Sequence, residues 1–456
     1  MENKIRDRVI ETYDRRTKRS REHDLNARGH LPGGDTRSTL YFGPHPIYMK
    51  QGRGCYLYDW DGNEYIDFLG NYTSIIHGHA HPKITEAARI QLEKGTIFGA
   101  PSEIQYRHAK HLCDRIPSLD TVRYCNSGTE ATQFALRGAR AYTGKSAIIK
   151  MDGGYHGTHD VAEVNLSPDL EAVDLPSKHV EVGVPRCTMD DVVIAPFNDL
   201  EAVEKLASEN QGRLAAIIVE PIMGAAGLIN PLPGYLKNLR EIADRYELVL
   251  IFDEIITFRL NWGGMQAMEG VRPDMTTLGK IIGGGFPVGA FGGKQEIMSV
   301  FNPEVRRSVN HGGTFNGNNV TMGAGIAALE MYDQASADRI NGLGERLRKG
   351  FCRAAEKAGV KARFTGLGSL INVHWGEKEP NNAKESALMK TAAGDVVSLL
   401  HLEMLNHGIY SAPRGMFIVS TPMTEKEIDR AVEAFETTLH VLKPFIEKDF
   451  PHLLRE

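Results

Sequence analysis

From about residue 80 to residue 325 the chain repeats one pattern: a short, continuous apolar run, a polar residue or glycine turn, then a stretch with helical periodicity. The runs are VRYCN (122–126), SAIIKMD (146–152), VVIAPF (192–197), AAIIVEP (215–221), LVLIFDE (248–254) and VGAFGGK (288–294). Strands apolar on both faces need cover on both faces, and helices such as the amphipathic stretch 232–246 supply it. The pattern therefore predicts an α/β fold with a mainly parallel sheet between helical layers. In open sheets of this kind ligands sit beyond the carboxyl ends of the strands, so the residues that follow each run carry the functional information.

The flanks read differently. Residues 1–30 predict a polar helical arm that Pro-Gly-Gly at 32–34 ends. Residues 46–68 alternate in short stretches around Asp61-Gly62, which predicts a β-meander with a hairpin. After about 326 the chain restarts with a long helix, then strand-like SLINVHW (369–375) and the amphipathic helix 426–442. A chain of 456 residues exceeds one compact core. The expected division is an N-terminal arm and meander (1–78), a large domain (79–325) and a smaller α/β domain (326–456). The net charge of −5, from 53 basic and 58 acidic side chains, offers nothing to pull the protein onto nucleic acid or an anionic membrane. Five scattered cysteines without a CxxC pair suggest neither a disulfide framework nor a zinc site. With no apolar leader and no run of about 18 apolar residues, the expected setting is the cytoplasm.

Two strand ends stand out. Asp253 closes LVLIFDE, where an unpaired buried charge is costly; as a purely structural residue it would cap a helix or join an ion pair. Lys280 closes DMTTLGK, 27 residues later, the spacing of one crossover, which brings both side chains to one rim of the sheet. Pyridoxal phosphate needs such a pair: an amine to form a Schiff base, and a carboxylate to keep the ring nitrogen protonated. It also needs a phosphate cradle. Ser127, Gly128 and Thr129 open the amphipathic helix of NSGTEATQFALRGARAY (126–142) directly after a strand, where free N–H groups face outward. Ser127 with Glu130 also reads as a capping box, and both readings hold together. In DGGYHGTHD (152–160) Tyr155 is placed to stack on a flat ring with His156 beside it, and in GGTFNGNN (312–319) Thr314 is placed to donate to a phosphate.

SGTEA, GGYHG, VEP, Asp-Glu at 253–254, LGKIIGGGFPVGAFGGK and GTFNGN, in this order and spacing, resemble the class III aminotransferases and their relatives, the glutamate-1-semialdehyde aminomutases. The resemblance covers the chain from about Gly33 onward. It implies a fold type I pyridoxal-phosphate-dependent transferase with a mainly parallel, seven-stranded-type sheet, working as a homodimer with shared active sites. By the same resemblance Lys280 is the Schiff-base and proton-transfer lysine and Asp253 pairs with the ring nitrogen. Ser127, Gly128 and Thr129 hold the phosphate with Thr314 of the partner subunit, Tyr155 stacks on the ring, and Glu220 lines its edge.

Other signals lead elsewhere. His77, His79 and His81 alternate like a metal site, but the resembling enzymes carry a similar structural turn, and no metal is expected. Neither a P-loop nor a GxGxxG pattern survives Val288. For substrates, arginine holds carboxylates best. Arg37 in GGDTRSTLYFGPHP and Arg414 in IYSAPRGMFIVS sit in settings that look like those of β-amino acid aminotransferases, particularly the β-phenylalanine type. There the first arginine holds the β-amino acid carboxylate and the second the α-carboxylate of the oxo acid. GTIFGAPSEIQ (95–105) looks more like the aminomutase loop, and Tyr-Thr at 72–73 is shared with the β-phenylalanine type. The expected reaction moves an amino group from a β-amino acid or related amine to 2-oxoglutarate or pyruvate. The aminomutase reaction and an amine:pyruvate transamination are the alternatives.

Overall fold

In the computed structural model, which describes residues 4–171, 173 and 175–455, three sheets organise the chain. Strands β1 (Met49–Arg53), β2 (Tyr56–Asp59) and β3 (Glu64–Asp67) form the meander. The central sheet uses β4 (Thr121–Cys125), β5 (Ala147–Met151), β6 (Val192–Ala195), β7 (Leu214–Val219), β8 (Val249–Asp253), β9 (Met275–Gly279) and β10 (Gly289–Gly293). The C-terminal part adds β11 (Ala362–Thr365), β12 (Leu370–Trp375), β13 (Ile409–Tyr410) and β14 (Met416–Ile418). The expected arm is present as helices Lys4–Arg16 and Lys18–Ala27; residues 1–3 of that expectation lie outside the described residues.

The central order is β4-β10-β9-β8-β7-β5-β6, with only β10 running against its neighbours. Strands β5 to β9 are buried at every position, as their continuous apolar runs require. The helices that cover them are one-sided. Tyr235–Arg245 buries Tyr235, Leu236, Leu239, Ile242 and Ala243, a single stripe at helical spacing. Each of the leucines and the isoleucine contributes roughly 1.5–3 kcal/mol when taken from water. Lys150 is the exception inside β5. Its amine is buried and donates to the carbonyls of Val164 and Asn165, which ties down the loop after the strand. The pairing of β8 with β9 sets Asp253 opposite Thr277, so Lys280 follows just past the same rim.

A feature without a sequence signal joins the two ends of the chain. The two-residue strand β13 pairs in parallel with β3, Ile409 against Ile66, making a four-stranded sheet from N- and C-terminal segments. The third sheet, β11-β12-β14, carries the helices Gln334–Ala358 and Glu425–Asp449, whose Phe351 and Phe435 stack at 4.3 Å. No helix among the described residues is long and apolar enough to cross a membrane.

Candidate active site

Five strand ends deliver their next residues to one rim. After β4 comes Ser127, the N-cap of helix Gly128–Thr143, whose Oγ accepts from the Glu130 amide at 3.2 Å. The return half of the expected capping box lands one residue earlier, because Glu130 accepts from the Asn126 amide rather than from Ser127. Among the described residues no acceptor takes the amides of Gly128 and Thr129, so the positive helix end is open toward an anion. The loop after β5 passes very close to it. Gly157 has φ +93°, and a Cβ there would meet Thr129 Cα at 2.5 Å. Strand β10 crowds the same place from below, since a Cβ on Gly289 would lie 2.0 Å from the Ser127 carbonyl oxygen.

Asp253, at the end of β8, is buried, yet among the described residues no lysine or arginine pairs with it. His156 bonds its Oδ2 through Nδ1 at 2.9 Å, and the Ile255 amide donates to Oδ1 at 3.2 Å. A buried carboxylate that is hydrogen-bonded to a histidine on one side, and which borders a cavity on the other, retains capacity for a cationic ligand. Glu220, after β7, is also buried, and burial raises its carboxyl above the usual range. The Tyr155 amide donates to one of its oxygens at 2.9 Å and the Gly224 amide to the other at 3.0 Å.

Lys280 follows β9 in a left-handed conformation, φ +52°, which a lysine adopts only when its surroundings impose it. Its side chain borders the cavity, and protein crowds its amine otherwise. Burial pushes the amine down to about 8, against the opposing influence of Asp253 and Glu220. The amine is thus partly neutral, and able to act as a nucleophile, near neutral pH.

These residues share one cavity of about 400 Å³, lined by Arg37, Tyr72, Thr129, Tyr155, Glu220, Asp253 and Lys280 together with Ile255, Ile256 and Phe286. Of the residues expected from sequence, Lys280, Asp253, Glu220, Gly128, Thr129, Tyr155 and Arg37 are brought together here. His156 does not face the cavity; it stands behind Asp253. Ser127 serves as the helix cap and does not line the cavity. Thr314 is exposed in a turn away from it. Arg414 borders a neighbouring cavity of about 340 Å³, but its guanidinium carbon lies 5.4 Å from the centre of the Tyr72 ring, which lines the first. Tyr72 and Asn71 escape a motif-based reading, since an Asn-Tyr pair in a turn has no signature; the Tyr-Thr shared with the β-phenylalanine type was the only hint.

The alternating histidines do not converge on one point, although the His77 and His81 rings stay 5.7 Å apart. His77 bonds the Ala328 carbonyl and Thr421, His79 bonds Asp67 at 2.7 Å, and His81 precedes helix Pro82–Lys94. Among the described residues no group of three or more His, Cys, Asp or Glu could hold a metal ion.

The donor set fits pyridoxal 5′-phosphate: an amine of lowered basicity, a buried carboxylate open on one side, and free amides at a helix end. Fold and site together place the chain among the fold type I enzymes that work with this cofactor. The chain belongs to the class III aminotransferases, whose family profile matches residues 42–439. It is 43% identical to a glutamate-1-semialdehyde 2,1-aminomutase of Ignicoccus hospitalis, over 88% of this chain and 93% of that one. An ω-transaminase from Sphaerobacter thermophilus superposes with a TM-score of 0.89 at 42% identity, covering 92% of this chain and 97% of that chain. A β-phenylalanine aminotransferase from Variovorax paradoxus gives a TM-score of 0.86 at 33% identity over 99% of both chains.

Proposed function

We propose that this enzyme moves the amino group of a β-amino acid of the β-phenylalanine type, or a related amine, to 2-oxoglutarate or pyruvate in a ping-pong reaction. The observation that carries the reading is that two guanidiniums meet neighbouring residues of one turn beside the Lys280 cavity, Arg37 at Asn71 and Arg414 at Tyr72. A β-amino acid holds its carboxylate one carbon further from the reacting centre than an α-oxo acid does, so a single fixed anchor cannot serve both substrates in a reactive pose. Arg37 takes the donor carboxylate and Arg414 that of the acceptor. The Variovorax β-phenylalanine aminotransferase supports this choice through its likeness over 99% of both chains.

Pyridoxal phosphate, when bound, supplies an aldehyde for amine exchange and an aromatic ring that accepts electrons. The chain's own residues do the rest. Lys280 would hold the cofactor through Nζ and would take up and return a proton there from the substrate carbon that bears the amino group; its lowered basicity suits both tasks. Asp253, fixed by His156 from behind, would hold a proton on the ring nitrogen. The amides of Gly128 and Thr129 would bind the phosphate. Tyr155 would cover the ring, and Glu220 fixes the Tyr155 loop through its main-chain bond. Thr314, exposed on this chain, serves the site of a second copy in a homodimer.

A second reading, glutamate-1-semialdehyde isomerisation, is favoured by the 43% identity to the Ignicoccus aminomutase. Half-reactions that follow cofactor colour with β-phenylalanine, aliphatic β-amino acids, simple amines and glutamate-1-semialdehyde separate the two. The proposed function requires conversion by a β-amino acid or amine and recovery by an external oxo acid. Conversion by the semialdehyde alone would replace it with the isomerase.

A further inference from the structure

The turn between β3 and the next helical segment is strained in a way that the reaction as described does not use. Four successive residues, Gly70, Asn71, Tyr72 and Thr73, have φ of +50°, +47°, +54° and +78°. Three of them carry side chains, and Thr73 is β-branched, for which this region is a marked outlier. Such a run persists only where the surroundings impose it. Here Asp67 accepts from the Leu69 and Gly70 amides at 2.9 and 2.8 Å, while His79 grips its other oxygen. The Tyr72 hydroxyl donates to the Thr39 carbonyl at 2.6 Å.

The turn presents its two central side chains to the two arginines. Asn71 Oδ1 accepts from Arg37, and the Tyr72 ring lies against the Arg414 guanidinium. Arg414 Nε is buried with no hydrogen-bond partner, and the Met416 sulfur, 3.9 Å from Nη2, is the nearest to one that the guanidinium has among the described residues. A ring face holds a guanidinium without occupying its N–H groups, which leaves the fork free for a carboxylate. A relaxed right-handed turn would carry Asn71 and Tyr72 away from both arginines.

We infer that the Gly70–Thr73 turn sets the spacing between the two carboxylate anchors, and that Tyr72 is the positioning residue that aims Arg414; this rests on the reading of Arg37 and Arg414 as anchors. Asn71 steadies the donor anchor and Tyr72 the acceptor anchor, so the range of substrate lengths depends on both.

The test uses holoenzyme and both half-reactions of Tyr72→Leu, Tyr72→Phe, Asn71→Gly and Arg414→Ala. Tyr72→Leu should raise the half-saturating concentration of oxo acid about tenfold, with its limiting rate and the donor half-reaction unchanged within about twofold. Calorimetric binding of glutarate, an unreactive dicarboxylate, should weaken in parallel. Tyr72→Phe keeps the ring but gives up the Thr39 bond that helps hold the turn, so its acceptor constant should fall between those of the native enzyme and Tyr72→Leu. Asn71→Gly relieves strain, so it should fold at least as well, yet raise the donor constant about fivefold. Equal loss in both half-reactions of Tyr72→Leu, or a Tyr72→Phe as impaired as Tyr72→Leu, would overturn the inference. An impaired Arg414→Ala beside a silent Tyr72→Leu would overturn it while leaving the acceptor anchor standing. A silent Arg414→Ala would remove the anchor reading itself.

Discussion

The two walls of the Lys280 cavity are built by opposite means. On one wall Asp253, Glu220 and Lys280 stand directly at the ends of buried parallel strands, and the sheet register fixes where they point. On the other, Arg37, Asn71 and Tyr72 come from loops before β1 and after β3, with Arg414 reaching Tyr72 from the loop between β13 and β14, and each contact among them involves a side chain. The strand-end wall offers one rigid geometry, suited to a cofactor that never changes. The loop wall can be retuned residue by residue, suited to substrates that differ among relatives sharing the same fold.

That contrast makes damage to the first wall general and damage to the second selective. Lys280→Ala should cost about 10⁴ in turnover with every substrate and abolish borohydride labelling at this position, because on the proposed reading it removes both the covalent tether and the proton carrier. Labelling of a different lysine in the native protein would break the assignment. Asp253→Asn should cost about 10²–10³ in both half-reactions alike; a loss confined to one half-reaction would place Asp253 on the substrate wall instead.

Acidity sharpens the same comparison. Burial holds the Lys280 amine down to about 8, so it is protonated below that pH and neutral above it. Capture of pyridoxal phosphate by the unloaded protein should therefore accelerate about tenfold per pH unit from 6 to 8, then level off. A flat profile would show that the amine is not the group that reacts. On the other wall, Arg414→Ala should weaken the oxo-acid acceptor about 10- to 100-fold while the donor half-reaction stays near native, the loss expected for a charge-assisted pair. The smallest effect belongs to the cap. Ser127→Ala removes one acceptor at the helix start and should cost about 1 kcal/mol of stability, seen as a modest drop in melting temperature.

The strand-end wall was legible in the chain because periodicity carries it: an apolar run must end, and the polar residue that ends it is displayed at the rim. Asp253 and Lys280 could be paired by spacing for that reason. The loop wall was legible only as two suspicious arginines. Nothing local announces a left-handed Asn-Tyr-Thr, since glycine marks such turns and here Asp67, His79 and Thr39 impose the conformation from outside. The β13–β3 pairing was hidden too, because two residues are too short to show a period. His156 was marked only by its place beside Tyr155, and its bond to Asp253 depends on a fold contact across 97 residues that no local pattern announces.

The short strand β13 has a consequence for how the protein comes into being on the ribosome. The meander that leads into the Asn71–Tyr72 turn emerges early, but its sheet stays open at one edge until Ile409 and Tyr410 arrive to close it. Arg414 follows four residues later. On the proposed reading, a nascent chain can thus hold Lys280 and Arg37 while still lacking the arginine assigned to the oxo acid.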